Sequence, residues 1–154
     1  MDLTELLKPE AVKVVGSVTS KKRLFHDLGD LVNECHTLDS EAAIAALQER
    51  ENLGPTGVGH GVALPHARLA GLSSVVGCFL KLDHAVDFDA IDRQPVDLVF
   101  ALFAPENSGV DHLKALALVS RTLRDQTICK KLRANSDTSA LHAILTEVPA
   151  TQAA

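Results

Sequence analysis

Aromatic residues are scarce in this 154-residue sequence, which contains no tryptophan, no tyrosine and only five phenylalanines. Hydrophobic residues still make up 46% of the chain. The core must therefore consist mainly of leucine, valine, isoleucine and alanine. A chain of this length is expected to bury about two thirds of the surface that its unfolded form exposes. We predict one domain that spans residues 1–154.

Cysteine is also scarce. The three cysteines, Cys35, Cys78 and Cys129, lie far apart and are odd in number. No Cys-x-x-Cys pair is present, so the sequence indicates neither a disulfide framework nor a zinc knuckle. The pattern is typical of reduced thiols in a cytoplasmic protein.

The sequence also lacks an excess of basic charge, because its formal net charge is −5. Nucleic acid is not an expected partner, since binding to a phosphate backbone requires a basic field. No apolar run approaches the roughly 20 residues of a membrane helix. The acidic first eight residues lack the hydrophobic segment of a secretory signal. We expect a cytoplasmic protein with no membrane insertion.

The hydrophobic periodicity predicts helices interleaved with strands. Leu24, Leu28 and Leu31, for example, share one face of an amphipathic helix that begins after Ser20. The predicted helices comprise a short lead-in within residues 1–10, the helix after residue 20, residues 39–51, 110–124 and 128–133, and a last helix from about residue 136. The predicted strands are residues 12–15, 62–64, 73–82 and 96–103. This alternation indicates an α/β sandwich in which helices cover a mixed sheet.

Finer predictions concern the position of individual elements. Strand 96–103 is apolar on both faces except at Asp97, so we place it centrally in the sheet, and strand 12–15 at an edge. Residues 83–94 form a polar connection, and the tail from residue 149 is expected to fray. The helix over residues 110–124 is predicted to bury four side chains: Leu113, Leu116, Ala117 and Leu123.

The most informative stretch covers residues 49–69. Four of the nine glycines fall within residues 54–61, which indicates positive φ angles or close approach of the backbone to another group. Pro65 has no amide hydrogen for a strand ladder, and it favours an extended conformation at the residue before it. We predict that His66 lies where a short strand ends, at the edge of this glycine-rich loop.

The glycine spacing is similar at first sight to that of a phosphate-binding loop. The Gly-Lys-Ser/Thr ending of a Walker A loop is missing, however, and the glycines lead into a strand rather than a helix. Nucleotide binding of that type is therefore not expected. A loop without any chemical role remains the alternative.

Three side chains around this stretch are candidates for a functional site. His66 stands out among seven histidines by its context. His112 begins a helix after the polar loop that follows the central strand, where ligands of α/β proteins tend to lie; the alternative is a helix-start histidine that faces water. Arg50 ends the helix before the glycines, and the alternative is a surface charge that opposes the helix dipole.

The three side chains suit phosphoryl transfer. A neutral imidazole is a nucleophile near pH 7. A phosphoryl group on it would bring about two negative charges, which an arginine can bind with two parallel hydrogen bonds. A second histidine can donate to a phosphoryl oxygen.

Residues 50–66, Arg-Glu-x-x-Gly-x-Thr-Gly-x-Gly-x-Gly-Val-Ala-Leu-Pro-His, resemble the signature of the fructose/mannitol-type (type 2) IIA domain of the bacterial phosphoenolpyruvate-dependent phosphotransferase system. The resemblance extends to His112-Leu113-Lys114 and covers nearly the whole chain. It implies a mixed five-stranded sheet flanked by helices on both sides. We expect neither a cofactor nor a bound metal.

The resemblance also implies roles for the candidate residues. His66 would accept a phosphoryl group through Nε2 from the phosphohistidine of an HPr-like carrier, either HPr or its nitrogen-branch counterpart NPr. Arg50 and His112 match the family's active-site arginine, which stabilises the phosphate, and its second histidine, which hydrogen-bonds to it. The protein would thus be a phosphotransferase.

A chain without a IIB or transporter domain is most similar to the nitrogen-regulatory branch, IIA-Ntr, in which the phosphoryl state controls target proteins. His60 stands where that branch often has asparagine. It could add a donor beside the site or merely face solvent.

Two other functions remain open. The chain could be a component of sugar uptake that passes phosphate to a separate IIB protein. It could instead be a metal-binding module that uses His60, His66 and either Cys78 or His112, although their spacing is not a known ligand pattern.

Overall fold

A computed structural model describes residues 1–147 of the chain. Within this range six strands form one mixed sheet. Their bounds are β1 (Val12–Val15), β2 (Gly57–Gly59), β3 (Val62–Ala63), β4 (His66–Leu69), β5 (Val76–Val86) and β6 (Val96–Pro105). The predicted α/β class with a mixed sheet is confirmed.

Six α-helices accompany the sheet in the described residues. They are α1 (Leu3–Leu6), α2 (Lys21–His36), α3 (Ser40–Asn52), α4 (Val110–Arg124), α5 (Gln126–Arg133) and α6 (Thr138–Thr146), and a 3-10 turn covers Pro9–Ala11. They form two groups, because α2 packs on α3 while α1, α4, α5 and α6 contact one another. Gly29 allows the close approach of α2 and α3, since a Cβ atom there would lie 2.6 Å from Ile44 Cγ1. Among residues 1–147, no helix combines the length and the apolar character needed to cross a membrane.

Strand β6 is the centre of the sheet. It pairs antiparallel with β5, and parallel with both β3 and β4 along successive parts of its length. The six strands therefore occupy five positions across the sheet, in the order β1-β5-β6-β3-β2, with β4 continuing the position of β3. Every residue of β6 is buried except Asp97, which is half-buried. The central placement of this strand and the edge placement of β1 are both confirmed.

The interruption between β3 and β4 positions His66. Strand β3 stops at Ala63, and Leu64 and Pro65 separate it from β4. The ladder to β6 continues across the break, because the Leu102 amide donates to the Pro65 carbonyl over 2.9 Å. His66 therefore begins a second strand rather than lying where the strand runs out, which corrects the predicted position. Proline has no amide hydrogen to donate, but it is tolerated at this position because its carbonyl maintains the pairing with β6.

The buried face of α4 also differs from the prediction. His112, Ala115, Val119, Thr122 and Leu123 are buried. Leu113 is 68% exposed and Ala117 is exposed, so their predicted burial was wrong, and Leu116 is only partly buried. Since His112 occupies the inward position of the first turn, its neighbour Leu113 must point away from the sheet.

Other boundaries shift only slightly. Strand β5 continues to Val86 and pairs there with Val96, whereas residues 83–94 were predicted as a connection. Its residues 83–85 are exposed, which explains why their polarity resembled that of a loop. The predicted fraying from residue 149 lies outside the described residues.

Candidate functional site

Three elements bring the candidate side chains together. Arg50 lies in the last turn of α3, His66 begins β4, and His112 lies in the first turn of α4. The Nε of Arg50 donates to Nε2 of His66 over 3.2 Å. The rings of His66 and His112 meet edge to face with their centroids 5.5 Å apart. Residues separated by up to 62 positions in the sequence thus form one cluster.

Two hydrogen bonds define the tautomer of His66. Its Nδ1 lies 2.9 Å from the carbonyl oxygen of Leu64. Because a carbonyl only accepts, Nδ1 must carry the proton. Nε2 accepts the hydrogen bond from Arg50, so it holds a free electron pair. The imidazole is neutral, and its available nitrogen is Nε2.

Burial also favours the neutral form of His66. Removal from solvent lowers the pKa of the imidazole below its ordinary value of 6.5, and the nearby Arg50 guanidinium lowers it further. The hydrogen bond to the Leu64 carbonyl and the Glu51 carboxylate act in the opposite direction without cancelling the shift. The His66 imidazole is therefore uncharged at neutral pH.

Arg50 is fixed at the mouth of the site. Its Nη1 donates to the carbonyl of Gly54 over 2.9 Å, in the turn that follows α3. The second bond, from Nε to His66, directs the guanidinium towards the imidazole. Arg50 is thus an ordered cation within the site rather than a free surface charge.

His112 is buried, with 7% of its surface exposed, so the alternative of a water-facing histidine is wrong. Burial lowers its pKa, and the neighbouring His66 ring and the Arg68 guanidinium lower it further. Among the described residues, its buried Nε2 has no hydrogen-bond partner. Such a group is unusual in a folded protein, and among the described residues only His36 Nε2 shares this feature.

The three side chains line an open cleft of about 380 Å³. The sequence prediction missed Arg68, which also lines it. Arg68 follows His66 by two residues in β4, and alternation along a strand places both side chains on one face. Among the ion pairs found within residues 1–147, none involves Arg68. The spacing of two residues in an extended segment could have identified it.

A second group of residues that the prediction missed lies behind Arg50. The side chain of Glu51 is 7% exposed and pairs with Lys21 over 2.9 Å. Its carboxylate also accepts hydrogen bonds from the hydroxyl of Thr56 and, over 3.0 Å, from the Thr56 amide. These bonds connect α2, the end of α3 and the start of β2.

The glycines have distinct roles in this loop. Gly59 and Gly61 have φ angles of 101° and 78°, which other residues rarely adopt. A Cβ atom on Gly57 would lie 2.8 Å from that of Ala90, so this glycine permits a close approach. These three confirm the prediction, whereas Gly54 shows neither feature.

The backbone of His60 forms two hydrogen bonds that anchor the glycine-rich loop. Its φ of 56° lies in the left-handed region. Its amide donates to Asp92 over 3.0 Å, and its carbonyl accepts from Nη2 of Arg133 over 2.8 Å. Arg133 also forms an ion pair with Asp97 at 2.9 Å. The exposed side chain of His60 agrees with the alternative of a residue that faces solvent.

The metal-binding alternative finds no support in the part of the chain that the structure describes. No group of three histidine, cysteine or acidic residues there is arranged to hold a metal ion. Cys78, one of the suggested ligands, is fully buried in the core.

Comparison with known proteins assigns this chain to a component of the sugar phosphotransferase systems. The profile of one family, described as phosphoenolpyruvate-dependent sugar phosphotransferase system, EIIA 2, matches residues 5–148. The chain belongs to this family, whose members carry phosphoryl groups.

Individual relatives agree with this assignment. The nitrogen regulatory protein of Bradyrhizobium diazoefficiens is 47% identical over 99% of this chain and 100% of its own length. The fructose-specific EIIA component of Haloferax volcanii is 31% identical over 96% of each chain. The crystal structure of IIA-Ntr from Neisseria meningitidis superposes with a TM-score of 0.86 at 37% identity, covering 94% of this chain and 99% of the other. The resemblance to the nitrogen-regulatory branch is confirmed.

Proposed function

We propose that this protein is a phosphohistidine carrier that accepts a phosphoryl group on Nε2 of His66 and acts as a nitrogen-regulatory IIA protein. The observation that carries the proposal is the electron pair of Nε2, which faces Arg50 at the mouth of the cleft. The donor is a phosphorylated HPr-like carrier, either HPr or NPr. The acceptor of the signal is a target protein regulated by the phosphoryl state.

The transfer step exchanges one P–N bond for another. The electron pair of His66 Nε2 attacks phosphorus, while the bond between phosphorus and the donor's imidazole breaks and returns its electrons to that imidazole. The donor ring carries a proton on its other nitrogen and therefore leaves as a neutral imidazole. The Nδ1 proton remains on His66, held by the Leu64 carbonyl. No redox step and no metal are needed, so positioning and charge stabilisation account for the catalysis.

The neighbours of His66 fit the charge that arrives. The Nε–H of Arg50 would then donate to a phosphoryl oxygen instead of to Nε2 of His66, since Nε2 no longer has a free electron pair after phosphorylation. The unpartnered Nε2 of His112 would donate to another oxygen. This requires a proton on Nε2 of His112, in either the neutral or the charged ring, and the incoming negative charge favours it.

The regulatory role is favoured over sugar uptake by the 47% identity to a protein named nitrogen regulatory protein, over the whole of both chains. The similarity to a fructose-specific component is lower, at 31%. The alternative, a IIA protein that passes phosphate to a separate IIB, uses the same chemistry at His66 and differs only in the acceptor.

The test is phosphorylation with radiolabelled phosphoenolpyruvate, enzyme I and either HPr or NPr. We expect one acid-labile phosphate on the wild-type protein and none on the His66→Ala variant. His84→Ala, which removes an exposed histidine of β5, should be labelled normally. Stoichiometric labelling of His66→Ala would refute the assignment of the nucleophile.

The acceptor can be tested in the same system. The phosphorylated protein is mixed with a purified IIB domain of the fructose type. Retention of the label supports the regulatory function, and rapid transfer of the label to a cysteine or histidine of IIB supports the sugar-uptake alternative.

A further inference from the structure

We propose that Glu51 is a positioning residue for His66, which it orients through the backbones of Thr56 and Leu64. The inference deepens the proposed function and rests on it, because it concerns the nucleophile of the same site. Glu51 is not hydrogen-bonded to the imidazole; besides its electrostatic effect on the pKa of His66, it acts through the residue that precedes β2 and the residue that follows β3.

A pair of hydrogen bonds is incomplete where Thr56 precedes β2 and Leu64 follows β3. Gly57 faces Ala63, so the preceding Thr56 faces Leu64 across the two antiparallel segments. The Leu64 amide donates to the Thr56 carbonyl over 2.9 Å. In a regular antiparallel ladder, such a pair would also form the reciprocal bond, from the Thr56 amide to the Leu64 carbonyl.

Both groups of the missing bond have other partners. The Thr56 amide donates to Oε2 of Glu51 over 3.0 Å. The Leu64 carbonyl accepts from Nδ1 of His66 over 2.9 Å. The carboxylate has thus taken the donor that the ladder would use, and the imidazole has taken the acceptor.

The position of Glu51 explains why it can hold this amide. A hydrogen bond to an ionised acceptor is about twice as strong as one to a neutral carbonyl. The carboxylate is almost completely buried and is fixed by Lys21 and by the Thr56 hydroxyl. The carboxylate therefore competes with the Leu64 carbonyl for the Thr56 amide, and this hydrogen bond costs little further side-chain conformational entropy.

The consequence for His66 is a defined ring orientation. While its Nδ1–H has the Leu64 carbonyl to itself, the ring presents Nε2 to the cleft. Without the carboxylate, the Thr56 amide returns to the Leu64 carbonyl, and a carbonyl shared by two donors holds each less firmly. The imidazole then spends less time in the orientation that attacks phosphorus.

The experiment compares Glu51→Met, which keeps a long side chain but has no acceptor, with Thr56→Val, which removes only the hydroxyl donor and keeps the amide. The first readout is solvent exchange of the His66 Nδ1 proton, followed by NMR in the unphosphorylated protein. The second is the single-turnover rate of phosphoryl transfer from phosphorylated NPr or HPr.

For Glu51→Met we expect exchange of the Nδ1 proton about tenfold faster and transfer about tenfold slower, the effect of weakening one hydrogen bond. Glu51→Gln, a weaker neutral acceptor, should give intermediate values. Thr56→Val keeps the acceptor and removes only one of the two groups that fix the carboxylate, so it should lower stability and change both readouts by less than Glu51→Met does. The inference is overturned if Glu51→Met protects the Nδ1 proton as well as the wild type does, or if Thr56→Val loosens it equally.

A measurement on the wild type covers the case in which Glu51→Met does not fold. Scalar couplings across hydrogen bonds should connect the Leu64 nitrogen with the Thr56 carbonyl carbon, and none should connect the Thr56 nitrogen with the Leu64 carbonyl carbon. Detection of the second coupling overturns the inference. These NMR readouts need no phosphate donor, so failure of the wild type to accept phosphate would refute the proposed function alone.

Discussion

The Nε of Arg50 lies 3.2 Å from Nε2 of His66, so the guanidinium covers the nitrogen that holds the free electron pair. Burial is the main reason that the imidazole stays uncharged, and this contact adds to it, because a cation facing Nε2 opposes its protonation. The contact also means that the guanidinium must move aside when phosphorus approaches. The same cation can then bind the oxygens of the group that replaces it.

We expect Arg50→Ala to slow phosphoryl transfer about 10- to 100-fold, because a charge-assisted hydrogen bond contributes about 1.5–3 kcal/mol. Arg50→Lys should recover only part of the rate, since an ammonium cannot bind two oxygens in parallel. Single-turnover kinetics and thermal unfolding measure the rate and the integrity of the fold. Unchanged transfer by a folded Arg50→Ala protein would remove Arg50 from the site.

The lowered pKa of His66 predicts how the rate of phosphoryl transfer depends on pH. Since burial, and secondarily Arg50, lower its pKa below 6.5, the ring stays neutral as the pH falls through that value. The rate at which His66 attacks should therefore decline only at lower pH. NMR titration of the His66 ring gives the midpoint directly, and a midpoint above 6.5 would contradict the described burial.

The same shift has a consequence for stability. The unfolded chain binds a proton at His66 near its ordinary pKa of 6.5, whereas the folded chain does so only at lower pH. The free energy of unfolding should thus decrease as the pH falls from 6.5 towards the folded pKa, and His66→Gln should reduce that decrease. Urea unfolding at several pH values measures both slopes. Equal slopes in the two proteins would show that His66 titrates normally in the fold.

Arg68 is expected to add to the positive charge that the phosphoryl group meets in the cleft. Arg68→Gln should slow transfer about threefold to tenfold, because an exposed cation is screened by solvent. Arg68→Lys should keep most of the rate. Arg121→Gln removes the same charge from the exposed last turn of α4 and is the matched control. If Arg68→Gln and Arg121→Gln slow transfer equally, the rate depends on the net charge of the protein and not on the position of Arg68 in the cleft.

His60 predicts a stabilising substitution. Its φ of 56° costs a histidine more than it costs asparagine. We expect His60→Asn to raise the free energy of unfolding by about 0.5 kcal/mol. Urea unfolding of His60→Asn is compared with that of His84→Asn, an exposed strand position where asparagine is disfavoured. A decrease in stability for His60→Asn would show that the imidazole has contacts of its own.

The sequence predicted those parts of the molecule that depend on local patterns. Periodicity identified α2, and a run that is apolar except at Asp97 identified β6 as central. The motif around His66 includes Arg50, whereas His112 was selected by its position after the central strand. The convergence of the three depends on the family fold rather than on any local spacing. The roles of these three residues in phosphoryl transfer stay a prediction until the phosphorylation experiments are done.

Other features depend on tertiary packing and could not be derived in this way. Hydrophobicity assigned Leu113 to the inner face of α4, but the buried position belongs to the less hydrophobic His112. The role of Glu51 depends on which residue lies opposite Thr56 in the antiparallel pairing. Contacts between the strands set this register, and a sequence pattern does not reveal it.

The contacts of Arg133 bear on how far the chain can be shortened. Its side chain reaches from α5 to Asp97 of the central strand and to the backbone of the glycine-rich segment at His60. Deleting α5 and the residues that follow it would therefore leave a half-buried carboxylate without its counter-ion and release one anchor of that segment. A minimal active fragment must consequently retain α5, a helix that does not line the cleft.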